Sequence, residues 1–380
     1  MAFNAAEYAK ILIEKGCDPE TAHIVANKQA QVYRDKKTEP QTVKAAVPLK
    51  NDKENIASNT PKETGSVDAD ASDSEDKPLA VLTKHEKNLI DAGIEISSDS
   101  PAGNDLTFMH SVMCQIGLPR SKVDGLSFER VCGSAGIYIQ AGRLWDGKKF
   151  VQQQIPYGPM PRLVMAYLNT QALRYKSPEI DIGRSAQDFL KKLGKRSSGG
   201  VKGTYTTFKT QMLALAACNL SIGITTKNSA ITYDGKPIKQ FEAWLNTDDD
   251  KILSWPKKII FSQEYYETLC EHAVPIDLRA LNALSSSPLA MDIYIMLSER
   301  LHRINDRKPV RLFWTNLRDQ FGQEYVGKNA SKDFKRSFLI ALKKVQTVYP
   351  SANIDIINKG RGGLLLMSSP PPVPYKNSST

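Results

Sequence analysis

Two short helical patterns open the chain: apolar residues recur at three- and four-residue spacing over 5–15 and 20–34, separated by Gly16-Cys17-Asp18-Pro19. Asp18 can cap the second pattern and Pro19 suits its first helical position, so residues 1–35 are predicted to form a small helical hairpin. The pattern then disappears. Residues 36–85 are rich in Lys, Asp, Ser, Thr and Pro and hold an acidic knot at Asp68, Asp70, Asp73, Glu75 and Asp76. A segment with so little apolar surface cannot offset its ordering entropy, which predicts a disordered linker.

From Leu106 onward the periodicity returns, and it divides near 246–254 into stretches of 86–250 and 251–368, with a disordered tail over 369–380. The first stretch reads as a helix over 106–116, strands near 136–141 and 150–154, a helix over 162–175, a strand over 179–182, a short helix over 185–193 and a basic turn. A longer helix over 203–218 and alternating segments over 220–226 and 230–233, joined by Lys227-Asn228-Ser229, complete it. The second stretch repeats the order: a helix over 288–304, a strand over 310–314, a short helix over 315–321, a loop, a longer helix over 330–349, and strands over 353–358 and 363–367 joined by Lys359-Gly360-Arg361. The fold class is therefore α+β, and the repeated order of helix, strand, helix, turn, helix and hairpin predicts two winged-helix domains in tandem. Residue identities do not repeat between the halves, so the match is one of element order.

Composition narrows the class of partner. The 380 residues are 41% apolar and carry a formal charge of +10, a field that attracts polyanions. No run approaches the roughly 20 apolar residues that cross a bilayer, and the N-terminus lacks an apolar signal core, so a soluble cytoplasmic protein with no membrane contact is expected. Five scattered cysteines, Cys17, Cys114, Cys132, Cys218 and Cys270, show no C-x-x-C pair, which predicts reduced thiols and no zinc site.

The longer helix of the second half is the most informative segment. At 100° per residue Phe334, Phe338, Ala341, Leu342 and Val345 share one face, while Lys332, Arg336, Lys343 and Thr347 share the opposite one, with Lys335 beside them. A helix with an aromatic core face and outward cations fits the roughly 12 Å major groove, and Arg336 can make a forked contact to guanine. Lys359 and Arg361, at the tip of the following hairpin, are placed to lie over phosphates or enter the minor groove. In the first half Lys191, Lys192, Lys195, Arg196, Lys202 and Lys209 occur with no acidic residue among residues 191–209. Gly199, Gly200 and Gly203 allow close approach, and amides at the start of the next helix are candidates to hold a phosphate. On that helix Tyr205, Phe208, Met212 and Leu215 form a core face, and Thr206, Thr207, Thr210 and Ala214 a small outer face suited to phosphate contact.

Enzymatic motifs are not found. The histidines His23, His85, His110, His272 and His302 never form H-x-H or H-E-x-x-H, so a metal-dependent nickase or protease lacks its ligands. G-x-x-x-x-G-K-[ST] and G-x-S-x-G are absent, Tyr265-Tyr266 fits a helix face better than a strand-transferring nuclease, and Asp248-Asp249-Asp250 fits a solvated connection. A non-catalytic DNA-binding protein without cofactor or metal is expected.

Residues Pro156-Tyr157-Gly158-Pro159-Met160-Pro161-Arg162, continuing through 168–172, Ser177 to Gly183, Ser185, Phe189-Leu190, Leu193-Gly194, Gly199-Gly200, Gly203 and Gln211, resemble the plasmid-encoded RepA replication initiator family. The similarity is dense over roughly 156–217 and sparse over roughly 118–358. The resemblance implies a protein that recognises repeated sites at a plasmid origin, helps open the duplex and brings host helicase or primase to it, with a homodimer as a further expectation. Where the family pattern carries an arginine after the double glycine, this chain has Val201-Lys202, which keeps a cation but loses forked hydrogen bonding. The rival readings are a winged-helix transcriptional repressor and a DNA-nicking enzyme. The tethered segment 1–85 favours an initiator, since such a module can recruit a partner while the body stays on DNA.

Overall fold

Helix α1 (Lys84–Ser98) opens on a capping box: Thr83 Oγ1 accepts the Glu86 amide at 3.3 Å, and Glu86 Oε2 accepts the Thr83 amide at 2.8 Å. The computed structural model describes residue 6 and residues 82–374 apart from 134, 201–202, 226–229, 242–256 and 307. The hairpin predicted over 1–35, apart from residue 6, and residues 36–81 of the linker predicted over 36–85 lie outside the described residues. The linker's predicted end at 85 is corrected, because residues 84 and 85 are already helical. Local pattern hides this helix: its buried positions are only Leu89 and Gly93. Gly93 lets the backbone approach another helix so closely that a Cβ would collide with the carbonyl of Thr347.

Where the pattern predicts one helix over 106–116, the structure has strand β1 (Leu106–His110) followed by one turn of helix, α2 (Ser111–Gln115). The strand forms because β11 (Ala273–Asp277) pairs with it antiparallel, Leu106 opposite Asp277 and His110 opposite Ala273. That partner is far away in sequence, so helical periodicity cannot reveal it.

Strands β2 (Ser127–Cys132) and β3 (Ala135–Gln140) join β7 (Asn219–Thr225) and β8 (Ala230–Gly235) in an antiparallel sheet of order β2-β3-β7-β8. Ile137 and Ile139 lie opposite Ile222 and Leu220 in its buried face. The segments around 220–233, predicted as the wing of the first half, are thus part of a different sheet. Between β3 and the next helix stands a small hairpin, β4 (Arg143–Trp145) and β5 (Phe150–Gln152).

The first helical unit runs α3 (Pro159–Tyr175), β6 (Glu179–Asp181), α4 (Ala186–Lys192) and α5 (Thr204–Ala217), and its sheet is completed by β9 (Ile238–Phe241) and β10 (Lys258–Phe261) in the order β6-β10-β9. The division predicted between 250 and 251 therefore falls in the connection between two strands of one sheet. After α6 (Gln263–His272), β11 and α7 (Leu278–Ala283), the second unit runs α8 (Pro288–Arg300), β12 (Val310–Phe313), α9 (Trp314–Phe321), α10 (Ala330–Val348), β13 (Ile354–Ile357) and β14 (Gly363–Leu366). Its sheet order, β12-β14-β13, repeats that of the first unit: first strand, third, second. The start of the tail predicted over 369–380 is docked rather than free: Ser369 Oγ accepts the Asn353 amide at 2.9 Å and the Pro370 carbonyl accepts the Tyr349 hydroxyl at 2.7 Å, while residues 375–380 lie outside the described residues.

Residues 289–299 of α8 are all buried, as expected of a helix enclosed on every side. Besides the shared hydrophobic core, two ion clusters bridge distant parts of the chain. Arg162 of α3 meets Asp292 of α8, and Glu324 after α9 takes both Arg120 (Nε at 3.0 Å) and Arg130 of β2 (Nη2 at 2.8 Å).

Candidate nucleic-acid interface

In the second unit α10 seats Phe334, Phe338, Ala341, Leu342 and Val345 in the core, as the periodicity predicts. Phe338 packs edge-on against Trp314 at 5.7 Å. Lys332, Arg336 and Lys343 are exposed on the other side. Arg336 is not idle there: its Nη2 lies 3.2 Å from Asp333 Oδ1 one turn earlier. An exposed pair of this kind is worth under about 1 kcal/mol, so a guanine or phosphate can replace it. Lys335 is half-buried with its ammonium 5.1 Å from the centre of the Trp314 ring, a cation–π contact that holds it beside the core. Thr347, predicted on the outer face, is half-buried, with Gly93 of α1 against its carbonyl.

The hairpin after α10 carries Lys359 and Arg361 exposed at its tip, as predicted. Gly360 and Gly362 take φ of 65° and 56°, which L side chains rarely adopt, and a Cβ on Gly362 would press on the Trp314 indole. Arg311 joins this group, its Nη2 3.4 Å from the Lys359 carbonyl. The sequence pattern misses it because the residue sits in a strand that becomes the neighbour of the hairpin only through pairing with β14.

The basic segment of the first unit divides differently from the prediction. Lys191 and Arg196 are exposed. Lys192 is exposed as well, with its ammonium beside Gly183 and its charge near Tyr167, whose phenol is pushed up chiefly by its own burial. Lys195 donates to Ser285 Oγ in the turn before α8, and burial lowers its pKa. It is a tie between two turns, not a cation presented to solvent. Lys202 lies outside the described residues, and Lys209 is half-buried.

The predicted phosphate cradle at the start of α5 is largely satisfied from within. Ser198 Oγ accepts the Thr204 amide at 3.0 Å, and the Ser198 carbonyl accepts the Tyr205 amide at 3.2 Å. Thr206 donates to the Gly200 carbonyl at 2.8 Å and Thr210 to the Thr206 carbonyl at 2.9 Å. A hydroxyl that has given its proton to a carbonyl can only accept, and a phosphate offers only acceptors. Thr207 is exposed, whereas Ala214, predicted on the outer face, is fully buried.

Among the described residues no group of three or more His, Cys, Asp or Glu side chains is placed to hold a metal, and no helix is long and apolar enough to cross a membrane. Residues 155–316 match the family model of plasmid encoded RepA protein. Over that stretch the chain is similar to the RepA family. Neither a curated protein nor a solved structure matches the chain. The RepA stretch takes in the basic turn and α5 but ends at Asn316, so α10 and the Lys359–Arg361 tip lie beyond it. Its densest motif serves the core. Gly158, with φ 81°, turns the chain into α3, Gln211 accepts the Tyr157 amide at 2.7 Å, and Arg162 enters the buried ion pair with Asp292.

Proposed function

We propose that this protein is a plasmid replication initiator that binds repeated sites in origin duplex DNA through two winged-helix units, promotes opening and brings host helicase or primase to the opened site. On this reading it catalyses nothing on the DNA, needs no cofactor or metal, acts in the cytoplasm with its plasmid, and can work as a homodimer. The observation that carries the reading is α10: a helix whose aromatic face is locked in a core while Lys332, Arg336 and Lys343 stay exposed, beside a hairpin bearing Lys359 and Arg361. The RepA match supplies the plasmid setting, and the repeated strand order of the two three-stranded sheets supports a tandem of like units.

The test is footprinting on the DNA flanking the protein's own gene, together with incubation of protein, magnesium and supercoiled plasmid. Protection of spaced repeats with unwinding near them, and no nicked product, is the expected result. Nicked circles would make the protein an enzyme. Protection confined to a promoter, without unwinding, would make it a repressor.

A further inference from the structure

Strand geometry puts successive side chains on opposite faces, so the β4–β5 hairpin sorts its residues cleanly. Leu144 and Val151 share one face, and Leu144 packs on the core. The other face carries Arg143 opposite Gln152 and Trp145 opposite Phe150. The hydrophobic rule is thereby inverted: Trp145 is 50% exposed and Phe150 66% exposed. Their rings meet edge to face, centroids 5.2 Å apart at 62°, a geometry that leaves flat aromatic surface open to solvent.

Polar groups frame the pair. Arg143 is exposed and steadied by Gln152, whose Oε1 accepts its Nε at 3.2 Å. Gln152 Nε2 in turn donates to the Gly142 carbonyl at 2.9 Å. At the turn, Asp146 Oδ1 accepts the Lys148 and Lys149 amides, both at 2.8 Å, so its carboxylate is directed to the backbone while the Lys149 side chain is exposed. The base of the hairpin is fixed where Gly142 packs so tightly on the Ala217 carbonyl that a Cβ would not fit.

We propose that this face is a stacking platform for single-stranded DNA, with Trp145 and Phe150 taking base faces and Arg143 a flanking phosphate. The chemistry selects a single strand over a duplex, because paired bases present only their edges in the grooves while their faces are stacked on one another. It selects a nucleic acid over a protein partner because the apolar surface is two rings wide and shares its face of the hairpin with Arg143 and Gln152 rather than with further apolar residues. The proposal rests on the initiator reading only for its setting, since opening an origin creates the strand such a platform would hold.

The test uses the full chain and two probes, labelled oligo(dT) and a duplex of the same length carrying the footprinted repeat. Trp145→Ala with Phe150→Ala is expected to weaken oligo(dT) binding by about tenfold or more, since stacking is worth roughly 1–3 kcal/mol per base, and to leave duplex affinity within about twofold. Trp145→Phe with Phe150→Tyr keeps both ring faces and should restore oligo(dT) binding. Unchanged oligo(dT) binding in the double alanine variant overturns the proposal, as does equal loss on both probes. A drop in oligomer mass with oligo(dT) binding intact would assign the face to a second copy and overturn it too. If the unaltered protein binds the repeat but no oligo(dT), the platform fails and the initiator reading stands; binding to neither probe removes both.

Discussion

Arg162 and Asp292 form a buried, two-pronged ion pair, Nε to Oδ1 at 2.7 Å and Nη2 to Oδ2 at 2.8 Å, with both side chains at most 3% exposed. The other guanidinium protons go to the carbonyls of Leu118, Pro119 and Gly158, so all five donors are used. The arginine closes the most recognisable sequence motif of the chain, and it binds protein, not DNA. Removing either partner strands a charge in the core. Arg162→Ala or Asp292→Ala is expected to cost about 3–5 kcal/mol in urea unfolding. Affinity per folded molecule for origin DNA should be unchanged. A loss below about 1 kcal/mol would mean that the pair is not what joins α3 to α8.

Arg336 is the residue expected to read sequence. Its replacement by alanine should cost about 1–3 kcal/mol on cognate duplex and little on a scrambled one, because its exposed pair with Asp333 contributes almost nothing to the fold. Titrations of both duplexes check this. Equal loss on the two would reduce Arg336 to a phosphate contact.

The basic turn should behave as two groups. Lys191→Ala with Arg196→Ala is expected to weaken cognate and random duplex alike and to flatten the salt dependence by roughly one unit per lost phosphate contact. Lys195→Met should leave both affinities and the slope intact, since burial and the bond to Ser285 hold that ammonium against the protein. A changed slope in the methionine variant would place Lys195 on the DNA after all.

Acid should weaken the fold through His110. The ring is 3% exposed, its Nδ1 accepts the Val112 amide at 3.3 Å, and burial, helped by the nearby His272, lowers its pKa to about 4. The folded pKa lies below the unfolded value of about 6.5, so between the two the unfolded chain binds the extra proton. Stability from this group is complete above about pH 6.5 and is lost as pH falls toward 4, by up to about 3 kcal/mol. His110→Asn can keep the cap and removes the titration. Unfolding midpoints measured from pH 7 to about pH 4 should therefore fall less steeply in that variant.

Residues 1–81 should be dispensable for duplex binding. The body carries its own capped start at Thr83, and the candidate contacts all lie beyond it. A fragment beginning at Leu82 is expected to bind cognate duplex within about threefold of the full chain, a difference under about 1 kcal/mol. Loss of specific binding would give the N-terminal segment a direct part in recognition.

Several features were legible without coordinates because they are local. The amphipathic period of α10 states its buried face outright, Ser185 marks a helix start, and the glycines of the 359–363 turn announce a hairpin. The order of helices and strands in the second unit follows from such signals, and so does the exposure of Lys332, Arg336, Lys343, Lys359 and Arg361.

Tertiary structure alone decided the rest, because pairing between distant segments leaves no local trace. Residues 106–110 became a strand only through β11, and the hairpin at 219–235 was drawn into a sheet with β2 and β3, leaving β9 and β10 to complete the first unit. Which cations remain available was decided the same way. A lysine's charge is written in the sequence, but whether it faces solvent, as Lys191 does, or an inward hydroxyl, as Lys195 does, depends on where Ser285 folds to meet it. Charge is a property of the residue, and availability is a property of its neighbours.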